Sequence, residues 1–130
     1  MKKLVALFCS LLLGVAAYAA AAKVADISHD ELTAAVASKS AVILDVNGTD
    51  SYKTGHIPGA IDYVAHRDQL AAMLPADKTA LVVAYCANPA CHAYAMAADA
   101  AVDLGYTNVK HYAPGIAGWK KSGAPVEKAN

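Results

Sequence analysis

The chain has 130 residues, enough for one domain and too few for two. At 57 % hydrophobic and 17 % charged it reads as globular rather than disordered, although much of the apolar content is alanine. Formal charge is zero and the body holds no Lys/Arg run, which argues against nucleic-acid binding by a basic face and against electrostatic attachment to an anionic membrane.

The amino terminus reads as a targeting segment. Lys2 and Lys3 form a positive region, Leu4 to Ala17 an apolar run, and Ala17-Tyr18-Ala19 an A-x-A cleavage pattern. Together these describe a secretory signal peptide over residues 1–19, with cleavage expected after Ala19 or, second, after Ala22. The run is short for a membrane span, which wants about 20 residues. Phe8 before Cys9 does not suit a lipoprotein site, so Cys9 is expected to leave with the signal. Removing Lys2 and Lys3 leaves nine basic against 11 acidic side chains. Export implies an oxidising compartment for the two remaining cysteines, Cys86 and Cys91, and the small body fits a bacterial periplasm.

In the body, Ser28 and Glu31 form a capping box, with Ile27 and Leu32 placed as a hydrophobic staple, so a helix is predicted from His29 to Ser38. Ala41 to Val46 is a continuous β-branched apolar run ended by Asn47-Gly48 and reads as a buried strand. Ala60 to Val64 reads as a short strand, Asp68 to Leu74 as a short helix stopped by Pro75, and Thr79 to Tyr85 as a second buried strand. A helix is then predicted from beyond His92 to Leu104, with Ala93, Met96, Ala97, Ala100, Ala101 and Leu104 as its apolar stripe and Gly105 at its end. Val109 to Tyr112 reads as the last strand and Pro114 to Lys121 as a closing helix. Apolar strands alternating with helices argue an α/β fold with a mostly parallel sheet covered on both faces.

Sites in open parallel sheets form beyond the carboxyl ends of the strands, and Cys86 lies at such an end, before a helix. Free amides and the helix dipole there favour an anion, so Cys86 is expected to be a nucleophilic thiolate, or to carry a persulfide. The competing reading is a buried thiol that only packs.

The segment Ile43 to Ile61, ILDVNGTDSYKTGHIPGAI, carries an Asp-Val strand end, a Tyr and then GHIPGA. Tyr85-Cys86 ends a strand, and Leu104 to Glu127 includes Gly115-Ile116-Ala117-Gly118-Trp119. Together these motifs resemble the rhodanese-like domain over residues 24–127. The resemblance implies about five mostly parallel strands with helices on both faces, and sulfur transfer. In that chemistry the cysteine takes a sulfane sulfur from a donor such as thiosulfate, and an acceptor thiol removes it. Cys86 stands at the persulfide-forming position, and Ala87, Asn88, Pro89, Ala90 and His92 stand in the substrate-binding loop.

This sequence departs from the family pattern at several points. Asn47 stands where an Arg often follows Asp-Val. The loop after Cys86 has Pro89 and no Arg or Lys, leaving His92 as its one candidate cation. The stretch to Gly105 is a couple of residues longer than the common form. Longer-loop phosphatases and arsenate reductases need an Arg to clamp an oxyanion, and none is present, so both are disfavoured.

Cys91 has three readings: a resolving thiol that closes a disulfide with Cys86, a structural disulfide partner, or a packing residue. Cys86, Cys91 and His92 fit a zinc site poorly, because adjacent Cys91 and His92 are awkward in one tetrahedron. No metal or cofactor is expected. His56 is expected to orient the GHIPGA loop, Asp45 to bond nearby turn amides, and Trp119, Ile116 and Tyr112 to pack the last helix. Tyr85, Tyr94, Tyr106 and Tyr112 read as the core edge, and His29, His66 and His111 need no function. The leading expectation is a periplasmic sulfurtransferase or sulfur carrier, with a small sulfur donor and a thiol acceptor as partners. The alternatives are a thiol–disulfide redox protein using both cysteines and a catalytically weak binding module on the same scaffold.

Overall fold

The computed structural model describes residues 24–130. The expected signal peptide, its cleavage positions and Cys9 lie outside the described residues. In chain order the elements are β1 (Ala25–Asp26), α1 (His29–Ser38), β2 (Ala41–Asp45), α2 (Thr49–Thr54), β3 (Ile61–Asp62) and α3 (Tyr63–His66). A 3-10 turn (Arg67–Gln69) leads into α4 (Leu70–Met73), followed by β4 (Leu81–Tyr85), α5 (Tyr94–Asp103), β5 (Val109–Tyr112) and α6 (Gly115–Lys121). The five strands form one parallel sheet in the order β1-β5-β4-β2-β3.

Alternation along the central strands splits the core in two. Leu44, Val82 and Ala84 face one side, where Tyr63, Leu70, Ala97, Ala98 and Ala101 cover them from α3, α4 and α5, with Leu74 just past α4. Ile43, Val83 and Tyr85 face the other, against Leu32 of α1 and Ile116 and Trp119 of α6. Burial on both faces is why β2 and β4 read as unbroken apolar runs.

The predicted α1 has the observed bounds. Ser28 Oγ accepts from the Glu31 amide while the Glu31 carboxylate accepts from the Ser28 amide, and Ile27 and Leu32 are buried together. Three elements, β1, α2 and α3, were not anticipated. β1 is a two-residue exposed edge strand, and α2 buries no residue, so neither leaves an apolar period. The strand expected over 60–64 is only Ile61–Asp62, because the Asp62 carboxylate accepts from the Ala65 amide and starts a helix at Tyr63. The stripe expected on α5 is shifted. Ala97, Ala98 and Ala101 are buried, whereas Met96 is 56 % exposed. Apolar residues nearly encircle this helix, so their spacing does not single out one face.

Candidate active site

From β2 the chain runs outward to the edge strand β3, and from β4 it runs to β5 on the opposite side. The connections therefore diverge between β2 and β4, and this reversal is the kind of point at which α/β sheets hold ligands. Cys86 is the first residue past β4 at that point, and only 2 % of it is exposed.

The loop after Cys86 is shaped by its own sequence. The Asn88 carbonyl accepts from the Cys91 amide at 3.1 Å, and Asn88 Oδ1 accepts from the Ala90 amide at 2.9 Å. Asn, then Pro89, then Ala90 is a favourable order for a tight turn, since Pro presets φ at the second position and Asn anchors the first. The turn folds Cys91 back onto Cys86. Their Cα atoms are 6.0 Å apart, within disulfide range, and the two sulfurs are joined.

The loop is docked on α6. The Ile116 amide donates to the Cys86 carbonyl and the Ala117 amide to the Ala87 carbonyl, each at 3.0 Å. These are amides that the first turn of a helix leaves free. Gly115 permits the approach. Its φ is +65°, and a β-carbon there would lie 2.7 Å from the Cys86 carbonyl oxygen and from the Ala87–Asn88 peptide.

A second polar cluster lies on the opposite face of the sheet. Asp45 and Tyr85 are paired in register at the ends of β2 and β4. The Tyr85 hydroxyl donates to the buried Asp45 carboxylate and accepts from the Ile57 amide at 3.1 Å, and Asp45 also accepts from the Asn47 amide at 2.7 Å. Burial first, and then the Asp45 charge, hold the Tyr85 phenol far above its usual range.

A profile of the rhodanese-like domain matches residues 28–122. The chain belongs to the rhodanese-like family. No curated protein matches it. Among solved structures it is similar to the human single-domain sulfurtransferase TSTD1, with 26 % identity and a TM-score of 0.61 over 74 % of this chain and 95 % of that one. It is also similar to a rhodanese-related protein from Thermoplasma volcanium, at 23 % identity and TM-score 0.62, covering 81 % of this chain and 99 % of that one. A thiosulfate sulfurtransferase from Pseudomonas aeruginosa matches at 24 % identity and TM-score 0.63, over 82 % of this chain but 21 % of its own length.

In this rhodanese-like chain, Ala87, Asn88, Pro89 and Ala90 are gathered into the turn that carries the two cysteines, and His92 follows it, exposed. The helix after Cys86 starts later than its position at a helix N-terminus implied. α5 begins at Tyr94, and the amides of Ala90 and Cys91 are already bonded to Asn88. Asp45 bonds a turn amide as expected, but its side chain joins Tyr85 on the face opposite Cys86.

His56 stacks on Tyr52 with centroids 3.7 Å apart and bonds the Tyr52 carbonyl through Nδ1 at 2.7 Å, which fixes the GHIPGA loop. Tyr85, Tyr106 and Tyr112 are fully buried rather than at the core edge. His111 is also buried. Its ring stacks on Tyr94 at 3.3 Å and its Nδ1 lies 3.3 Å from Asp26, so it ties β5 to the start of α5. Burial, opposed by Asp26, lowers its pKa below the usual histidine value. His111 and Tyr94 are 17 positions apart, and the packing of α5 on β5 brings them together.

Proposed function

We propose that the chain is an exported sulfurtransferase or sulfur carrier, working in the periplasm and forming a persulfide on Cys86 that Cys91 can resolve. The observation that carries this reading is the placement of Cys86 at the carboxyl end of the central strand, at the point where the connections diverge, within a rhodanese-like domain. Likeness to the human single-domain sulfurtransferase supports the same chemistry. Lys2-Lys3 and the apolar run that follows support export.

The pair must first be reduced. The Cys86 thiolate then attacks the sulfane sulfur of a donor, R–S–S⁻, and becomes Cys86–S–S⁻ as the thiolate R–S⁻ leaves. An acceptor thiolate removes the outer sulfur. Alternatively, the Cys91 thiolate attacks the inner sulfur, closing the Cys86–Cys91 disulfide and releasing hydrosulfide. Ala87, Asn88, Pro89, Ala90 and His92, which follow Cys86, are assigned as the substrate-binding loop. That loop carries no Lys or Arg, which favours donors of low charge over the thiosulfate dianion.

The test is intact-mass spectrometry of reduced, desalted protein exposed to thiosulfate or to polysulfide. One added sulfur, absent in Cys86→Ser, is the expected result. Sulfur retained in Cys86→Ser would sink the assignment. The joined cysteines favour a second reading, a thiol–disulfide redox protein. That reading requires Cys91 as strictly as Cys86, so a Cys91→Ala variant with the reduction potential of the wild type would reject it.

A further inference from the structure

The two ends of the disulfide are unequal. Cys86 belongs to the buried cluster that includes Val46, Tyr63 and Ala97, whereas Cys91 only packs against the edge of that cluster and is partly exposed. A thiol or sulfide displaces a disulfide by approaching the attacked sulfur in line with the S–S bond, from the side away from the leaving sulfur. Cys86 is only 2 % exposed, which shields its sulfur, whereas Cys91 is partly exposed and its chain neighbours Asn88, Pro89, Ala90 and His92 are exposed. No Lys or Arg lies in this loop to hold a dianion, and a small monoanion needs no such clamp.

We propose that the oxidised pair takes sulfur directly from hydrosulfide, using its own disulfide as the electron acceptor. This rests on the reading of Cys86 as part of a sulfur-carrying site. HS⁻ attacks Sγ of Cys91. The new S–S bond forms a Cys91 hydropersulfide, the Cys86–Cys91 bond breaks, and its electron pair leaves on Cys86 as the thiolate. Sulfide sulfur is thereby oxidised to the sulfane level, and the protein disulfide is reduced by the same two electrons. The Cys86 thiolate can then attack the outer sulfur of Cys91–S–SH, leaving Cys86–S–SH and a Cys91 thiolate. An acceptor thiolate removes the sulfane sulfur, and a disulfide oxidant, small-molecule or protein, takes two electrons to reclose the pair.

The test starts from purified protein with the pair oxidised and no free thiol. It is treated without oxygen with one equivalent of sodium sulfide, quenched early with iodoacetamide and mapped by peptide mass. One added sulfur per chain is expected, as an alkylated persulfide on Cys91 and an alkylated thiol on Cys86. Loading should fall to background in Cys91→Ser and in Cys86→Ser, neither of which can form the disulfide. An inert disulfide, early sulfur on Cys86 alone, or two plain thiols with no retained sulfur would each overturn the proposal. Reduced Cys91→Ser exposed to polysulfide is the parallel arm. If it gains sulfur on Cys86 while the oxidised wild type ignores sulfide, the inference fails and the sulfur-carrier reading stands. If it gains none, the sulfur-carrier reading fails.

Discussion

The α-carbon of Gly115 rests against the backbone of Cys86, so close that a β-carbon would stand 2.7 Å from the Cys86 carbonyl oxygen. The contact lets two amides of α6 hold the cysteine turn. Gly115→Ala meets both a positive φ and a backbone clash, with an expected loss of about 2–5 kcal/mol from strain and overpacking together. Urea unfolding checks this. A midpoint equal to the wild type's would show that the docking is not tight.

The turn itself sets how readily the two thiols meet. Asn88→Ala removes the bond from the Ala90 amide to Oδ1 but keeps the backbone bond from Cys91. Loss of about 0.5–1.5 kcal/mol of turn stability makes the disulfide roughly 2- to 10-fold easier to reduce. The oxidised fraction across a series of dithiothreitol ratios measures it. A disulfide as hard to reduce as the wild type's, or harder, would contradict the role given to Asn88.

What could be read from the sequence follows from what was local. Ser28 and Glu31 act within one turn, and Cys86 ends an apolar strand run, so both were legible. The Asn88-Pro89-Ala90-Cys91 turn was also local, and its turn chemistry is visible in the sequence, but the spacing alone did not fix the Cα separation. The Tyr85–Asp45 contact depends on which strands are neighbours and in what register, and the His111–Tyr94 contact on how α5 packs against β5. No period within a single segment encodes that. The face of α5 stayed hidden for a different reason: alanine on nearly every side erases the contrast that marks a buried stripe.

Tyr85→Phe isolates the buried network. It leaves the Asp45 carboxylate and the Ile57 amide without the hydroxyl, at an expected cost of about 1–3 kcal/mol near neutral pH. The pH dependence gives a second reading. The folded phenol is held well above the ordinary value of 10.0, so its share of stability is fully present below that value and is lost as pH rises past it. The variant lacks that loss. Its alkaline decline should be shallower by about 1.4 kcal/mol per pH unit, with Tyr52 and Tyr112, also raised by burial, supplying the rest. Denaturant curves from about pH 8 to about pH 11 should therefore converge with those of the wild type. Parallel curves would mean that the phenol titrates alike in both states.

The tail beyond Gly123 closes the core on the sheet face that carries Trp119. The indole N–H of Trp119 donates to the Pro125 carbonyl at 2.8 Å, and Ala124 and Val126 pack on the same cluster. Glu127 then exchanges two backbone bonds with His56, at 2.9 and 3.0 Å, and its carboxylate accepts from the Gly59 amide at 3.1 Å. The strap thus ties α6 to the GHIPGA loop. Ending the chain after Gly123 strips the indole of its acceptor, which costs about 1–3 kcal/mol before any apolar contact is counted. Because Trp119 is the one tryptophan of the chain, its emission reports the loss directly. A red shift and a lower unfolding temperature are expected. The side-chain contact between His56 and Glu127 is a separate matter. At 3.7 Å it joins a buried ring to an exposed carboxylate, and such contacts contribute at most about 1 kcal/mol. Glu127→Gln keeps the backbone bridge and should stay close to the wild type. If Glu127→Gln proved as damaging as the truncation, the carboxylate rather than the strap would be what holds the loop.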